Sequence, residues 1–215
     1  KLAILKPALE VGTTQNMILD SVRKFCRTEL VNHSSITGTK DSTRYLYKRF
    51  GNLGLLGPTI KEYDCLGQSY KLYGLMAKEI EYVDSGFRSM FSVQSSLVMN
   101  PINNYGSNVL KDKYIPELAS GNMIGSFGLT ESESGSDASA MKTYAQKVGD
   151  DYVISGSKAW ITNSPVADVF VIWAQYDGNI HGFVLDRSMP GIETPEIANK
   201  LSLKSSLTGM IYLDN

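Results

Sequence analysis

The sequence predicts an α+β fold of two successive units: a helical domain over residues 1–122, then an antiparallel, barrel-like β-sheet domain over residues 123–215. Three observations carry this reading. Apolar residues recur at helical spacing up to about residue 122 and then lose that period. Beyond that point, short runs rich in β-branched and aromatic residues alternate with turn signals. Helices come first and strands afterwards, with no βαβ alternation and no G-x-G-x-x-G behind a strand, which argues against a Rossmann-type dinucleotide fold.

The elements follow in order. Thr13 or Thr14 can cap a helix from about 15 to 31, with Met17, Ile18, Val22, Phe25, Cys26 and Leu30 as its apolar stripe. Asp41 or Ser42 can cap a second helix, STRYLYKRFGNL, that ends near Gly54. A loop broken by Gly54, Gly57, Pro58 and Gly67 leads to a third helix marked by Leu72, Leu75, Met76, Ile80 and Val83. A fourth spans about 87–98 and is expected to stop before Pro101, which lacks the backbone donor. A fifth, near 107–119, closes at Gly121. Strands are expected near 124–130, 141–148, 152–162, 169–176, 181–186 and 208–213, with hairpin turns at Gly149-Asp150-Asp151 and Asp177-Gly178-Asn179.

Composition removes several classes of function. A 42% hydrophobic, 20% charged chain of 215 residues can fill a core, and a net charge of −1 is not that of a nucleic-acid binder. Two histidines, His33 and His181, lie far apart, so neither a metal cluster nor a histidine triad is expected. Two cysteines make no disulfide framework: Cys26 falls on an apolar helical position, and Cys65 lies in a loop without an activating neighbour. No apolar run reaches the roughly 20 residues of a membrane span. The opening KLAILKPALEVG shows neither a signal-peptide nor a transit-peptide pattern and does not begin with Met, so a processed or trimmed N-terminus is expected.

Three segments carry residues suited to chemistry. In SFGLTESESGSD (126–137), an apolar strand runs into small and hydroxylated residues. Gly135 permits close backbone approach, Ser136 can donate to a phosphate, and Thr130 with the backbone near Leu129 can donate to a carbonyl or ring nitrogen. A plain polar loop is the alternative. In KAWITNSPVAD (158–168), Trp160 at a strand end can lie on a planar cofactor with the Thr162 hydroxyl nearby, or it can be a core tryptophan. In EIEYVDSGFRSMFSVQSSLV (79–98), helical spacing aligns Glu81, Ser85, Arg88 and Ser92, with Ser89 beside Arg88. An arginine in such apolar company needs an anionic partner: Glu81, Asp84 or a ligand carboxylate.

In this order, FGLTE, SGSD and WITN resemble the flavin-binding signature of the acyl-CoA dehydrogenases. VDSGFRSMFSVQSSLVMNPI, LGLLGPTIKEYDCLG and WITNSPVADVFVIWA are similar, more narrowly, to the glutaryl-CoA dehydrogenases. The resemblance runs from about Thr14 to Asn215. It implies a helical domain, a middle β-domain and a C-terminal four-helix bundle, of which this chain matches the first two. It implies FAD held by Phe127, Gly128, Leu129, Thr130, Gly135, Ser136, Trp160, Ile161 and Thr162, with Thr162 near the flavin N5. It also implies an acyl-CoA substrate whose far carboxylate is held by Arg88, Ser89 and Ser92 beside a buried Glu81, with Ser136 also near the CoA chain. The base that removes the α-proton belongs to the bundle in that family, so no residue here inherits it.

The further implications are oxidation of glutaryl-CoA with loss of CO2 to crotonyl-CoA, and an electron-transfer flavoprotein as acceptor. The family also implies a homotetramer and a mitochondrial matrix or bacterial cytoplasmic location. Two departures, Ser132 and Ala138 where the family usually has proline, are expected to soften the loop without removing a proposed contact. Apolar helix faces that the bundle would cover are expected at the surface, with weak flavin retention.

Overall fold

Each helix start is set by a side chain or backbone that can take up orphan amides. In the computed structural model, which describes residues 11–33 and 38–214, the first helix opens at Gly12 rather than at Thr13 or Thr14. It runs as α1 (Thr13–Phe25), a wide π turn (Cys26–Leu30) and a short α2 (Val31–His33). Its buried stripe is Leu19, Val22, Phe25, Cys26 and Leu30; Met17, expected in that stripe, is 67% exposed. The reading of KLAILKPALE lies outside the described residues.

Thr39, not Asp41 or Ser42, caps α3 (Lys40–Asn52): its hydroxyl accepts from the Ser42 amide at 3.2 Å, and Ser42 bonds back in a reciprocal cap. The following loop turns at Gly54, Gly57 and Gly67, all at positive φ. Ser69 caps α4 (Tyr70–Glu81), which buries Leu72, Leu75, Met76 and Ile80. Asp84 caps α5 (Ser85–Ser92). The expected stop before Pro101 does not occur. A π turn over Val93–Met99 carries the helix into α6 (Asn100–Tyr105), because a locally widened turn accommodates a proline that cannot donate. Ser107 caps α7 (Asn108–Ala119).

The β unit comprises β1 (Gly125–Gly128), β2 (Tyr144–Val148), β3 (Asp151–Thr162), β4 (Val169–Tyr176), β5 (Asn179–Asp186), β6 (Ile192–Glu193) and β7 (Thr208–Leu213). The order is β1-β4-β2-β3-β7-β6, with β5 also on β4, a curled half-barrel. Both expected hairpins form, pairing Val148 with Asp151 and Tyr176 with Asn179. The sheet is mixed rather than wholly antiparallel. β1 pairs with β4 in parallel from Gly125–Val169 to Gly128–Ile172, and Tyr144 of β2 pairs in parallel with Gln175. A strand that arrives from the helical unit and meets β4 through a long connection is free to run parallel to it. β6, two residues long, offered no alternation to read.

The units share one core: Val166, Val169, Val171 and Leu207 pack with the helical residues. Ile161, Ala167, Phe170, Ile172, Leu185, Ile211 and Leu213 form a second cluster inside the curl. Buried polar side chains rivet the junction. Gln94 donates to the carbonyls of Leu118 and Met123, both at 2.9 Å, and accepts from the Gly125 amide at 2.8 Å. Asn163 donates to the Tyr47 hydroxyl at 2.7 Å and to the Gly125 carbonyl at 2.9 Å, and Tyr47 donates to the Met90 carbonyl at 3.0 Å. Arg44 grips Asp168 through two bonds of 2.8 and 3.0 Å, and Asp168 in turn accepts from the Ile124 amide.

Candidate functional site

Two segments 29 residues apart in sequence meet where β1 ends. The Ala159 amide donates to the Thr130 carbonyl at 2.8 Å, and Lys158 Nζ donates to the Leu129 carbonyl at 3.1 Å. The expected strand 124–130 therefore stops at Gly128, and Leu129 and Thr130 lie half-buried at its open end. Phe127 is half-buried with its ring edge-on to Trp173. Gly128 has a packing reason rather than a ligand one: a Cβ there would lie 2.6 Å from Ile172 Cδ1 and 3.1 Å from Lys158 Cγ.

Trp160 departs furthest from ordinary backbone. It sits at φ 61° in β3, where the register with β7 shifts between Lys158 and Ile161, and it is 65% exposed. The core-tryptophan alternative is thereby removed. A bulge rotates the indole out of the sheet into a conformation that bulky residues rarely adopt. Ile161, expected at a flavin, turns its side chain into the inner core. Thr162 is half-buried opposite Thr208. Gly135 and Ser136 are exposed, and a Cβ at Gly135 would meet nothing within 4 Å, so this stretch is open to a ligand. The loop is better held than its missing prolines suggest: Glu131 and Ser134 exchange backbone bonds of 3.0 and 3.2 Å, and the Ser134 hydroxyl donates to the Asp137 carbonyl at 2.5 Å.

The sequence reading passed over the group that fixes this arrangement. Lys158 is fully buried and pairs with Glu131 at 2.8 Å. The Glu131 carboxylate also accepts from the amides of Lys142 at 2.6 Å and Thr143 at 2.9 Å. Burial works against this carboxylate, but the bonds from Lys158, Thr143 and Lys142 outweigh it and lower its pKa to about 2. Burial lowers the Lys158 pKa, and Glu131 only partly offsets it. Desolvation thus wins at the ammonium and loses at the carboxylate, which has two amides in addition to its ion partner. A lysine standing at an inward strand position next to a tryptophan was the available signal.

On the helical side, the helix is interrupted between α4 and α5, yet Ser85 and Arg88 both reach Glu81 across the interruption. Ser85 donates to Glu81 Oε1 at 2.5 Å, and Arg88 Nε donates to Glu81 Oε2 at 2.8 Å. Glu81 is not buried, as the resemblance implied: its side chain is 45% exposed and that of Arg88 37%, because the break leaves the pair at the rim. The bond from Ser85, then that from Arg88, holds the Glu81 carboxyl below its ordinary range. Asp84 is not the partner of Arg88; it caps α5 at Gly86 and accepts the Ser205 hydroxyl. Ser89 and Ser92 are half-buried on α5. Neither thiol is activated: burial pushes both Cys26 and Cys65 up to about 11. Among the described residues, no His/Cys/Asp/Glu group could hold a metal ion, and no helix is long and apolar enough to cross a membrane.

A parallel strand meeting a bulged tryptophan strand, set against a helical unit through buried amide side chains, defines a class with known relatives. The family model described as "Acyl-CoA dehydrogenase, N-terminal domain" matches residues 12–122, and "Acyl-CoA dehydrogenase, middle domain" matches 126–215. The chain belongs to the acyl-CoA dehydrogenase family. An acyl-CoA dehydrogenase of Bacillus subtilis is 35% identical over 96% of this chain and 56% of its own length. The mitochondrial isovaleryl-CoA dehydrogenase of Pongo abelii is 32% identical over 90% of this chain and 48% of its own. Among solved structures, a glutaryl-CoA dehydrogenase from Mycobacterium smegmatis in complex with FADH2 superposes with a TM-score of 0.90 at 43% identity, covering 95% of this chain and 53% of that one. The chain thus spans about half the length of the curated relatives it matches.

Proposed function

We propose that this chain supplies the helical and middle β parts of an FAD-dependent dehydrogenase that oxidises and decarboxylates glutaryl-CoA to crotonyl-CoA and CO2. The observation that carries the flavin reading is Trp160, a strained and exposed indole beside the Leu129–Thr130 segment. Strain of this kind is retained where a ligand uses it. The residues fit FAD. The indole offers a flat apolar face, and the Thr130 and Thr162 hydroxyls are half-buried, with no side-chain bond of their own seen among the described residues. Gly135 and Ser136 stand open for a phosphate. The relatives support the assignment, since their solved structures include an FADH2 complex of a glutaryl-CoA dehydrogenase and a glutaryl-CoA complex of a glutaryl-coenzyme A dehydrogenase.

Bound FAD would supply the acceptor for the hydride of the substrate β-carbon. The chain's own residues position and polarise. Thr130, the amides beside it and Thr162 donate to the ring system, an electrostatic contribution that costs no reorganisation at the moment of reaction. Trp160 covers the ring and keeps water from it. Ser136 contacts pyrophosphate and the CoA chain. Arg88 is held through Nε by Glu81, which leaves its Nη edge for the far carboxylate of the substrate in a bidentate pair, with Ser89 and Ser92 beside it. The α-proton goes to a carboxylate that we assign to no residue of this chain. We further assign an electron-transfer flavoprotein as acceptor, a homotetrameric assembly, and a mitochondrial matrix or bacterial cytoplasmic setting.

The test is Arg88→Ala in an active enzyme containing both units. The ratio of kcat/KM for glutaryl-CoA to that for butyryl-CoA is expected to fall by about a hundredfold, the loss of one charge-assisted bidentate pair. An unchanged ratio removes the glutaryl assignment. It would favour a straight-chain acyl-CoA substrate instead, a reading supported by the existing 2.8 Å pair of Arg88 with Glu81. The visible absorbance of an active enzyme containing both units tests the flavin itself. A colourless enzyme of that kind that takes up no FAD on titration removes the flavin reading and favours a non-catalytic binding role.

A further inference from the structure

An alkyl-ammonium placed wholly inside a β-unit calls for an explanation, because an apolar side chain of the same length would fill the space without desolvating a charge. Lys158 is fully buried, and each neighbour of its Nζ other than the Met141 sulfur (3.8 Å) belongs to one short stretch. It reaches the Leu129 carbonyl at 3.1 Å and Glu131 Oε1 at 2.8 Å. Glu131 extends the same lock to the next strand through the Lys142 and Thr143 amides. Thr130, between the two gripped residues, is bonded by its carbonyl to the amide of Ala159, one residue after the lysine. Trp160, one residue further on, occupies the bulge. The pair therefore stands at the joint of both segments that face the proposed flavin, with the lysine fully buried and the glutamate nearly so.

We propose that the Lys158–Glu131 ion pair is a positioning device for the flavin cradle, fixing the Leu129–Thr130 backbone against the Trp160 bulge in the arrangement that FAD requires. This inference rests on the FAD reading above. The lysine cation holds the Leu129 carbonyl inward, so that the Thr130 N–H on the other side of the same peptide is turned toward the open end of β1. The carboxylate keeps the ammonium from reorienting and ties the same peptide to the start of β2. An apolar pair could fill the volume, but it would leave the Leu129 carbonyl free to rotate. The cradle would then be folded yet unfixed, and FAD binding would have to order it.

The experiment compares FAD titrations of an active enzyme containing both units with those of its Lys158→Met, Lys158→Met/Glu131→Gln and Glu131→Gln variants. Binding is followed by flavin fluorescence quenching and by the visible circular dichroism of bound flavin, alongside thermal melts. Lys158→Met alone is expected to melt early, since it leaves a carboxylate buried without its cation. The double variant carries no buried charge and is expected to recover most of that loss. Its FAD dissociation constant should remain raised about tenfold, as when one charge-assisted hydrogen bond no longer holds a ligand-bearing segment, and its visible dichroism should change. Glu131→Gln, which keeps an acceptor for the Lys142 and Thr143 amides, gives the same comparison if the double variant does not fold, with a smaller loss. Recovered melting together with parental FAD affinity and parental dichroism in either folded variant overturns the proposal and reduces the pair to a structural one. Failure of the unmodified enzyme to bind FAD is a different result, and it overturns the flavin reading and this inference with it.

Discussion

Acidification should unload the Glu131–Lys158 lock before it unfolds the rest of the chain, and the size of the effect follows from the structure. The Glu131 carboxyl, ordinarily near 4.5, titrates at about 2 in the fold while nearly buried. At about 1.4 kcal/mol per pH unit, that difference is worth about 3 kcal/mol at neutral pH. The sign is that of a depressed acid: the contribution is complete above the unfolded value and is lost as pH falls through the folded one. Roughly 2 kcal/mol of it has gone by pH 3, since the unfolded carboxyl takes up its proton there while the folded one remains mostly ionised. Glu131→Gln has no such proton to bind. At pH 7 the variant should be less stable by about 3 kcal/mol, because an ammonium is left buried without its anion. As pH falls from 6 to 3, the gap between the two chains should narrow by about 2 kcal/mol. Urea denaturation at stepped pH, followed by tryptophan fluorescence, measures this gap directly, and other carboxylates cancel because they titrate alike in both chains. A gap that stays constant from pH 6 to pH 3 would refute the assignment of a strongly ionised, ion-paired Glu131.

Two substitutions separate strain from support. Trp160→Gly removes an exposed ring from a positive-φ position, so it should leave the chain as stable or more stable by about 1 kcal/mol while weakening FAD binding; a clear loss of stability on melting would show that the indole is a packing residue. Asn163→Ala removes donors to the Tyr47 hydroxyl and the Gly125 carbonyl in a fully buried site at φ 70°, and should cost about 3 kcal/mol in urea denaturation, with Asn163→Gly recovering about 1 kcal/mol through its backbone freedom. Equal losses for the two would mean that the left-handed backbone contributes nothing there.

What the sequence made legible was whatever repeats or punctuates. The change of period near residue 122, the two hairpin turns and five helices can be read because periodicity and glycine chemistry act locally. The misreadings fall where a local rule is overridden at a distance. Pro101 should end a helix, but the widened turn before it belongs to a buried segment whose Gln94 already bonds the start of β1, so tertiary fixing of that segment outweighs the proline. The parallel pairing of β1 with β4 leaves no mark in either strand, because pleat alternation is the same in both senses.

The site shows the same division. Phe127, Thr130, Trp160 and Arg88 announce themselves by residue type, but the exposure of Trp160 depends on a bulge that only the β3–β7 register reveals. Glu131 and Lys158 are 27 residues apart and read singly as ordinary surface charges. Only the fold brings them within 2.8 Å, with the lysine fully buried and the glutamate nearly so. A buried charge must find its counter-charge wherever topology puts it, whereas a ligand-facing group must already carry its chemistry in its own side chain. In this chain the residues proposed to touch the cofactor are therefore visible as motifs, and those that hold them in place become visible only as pairs.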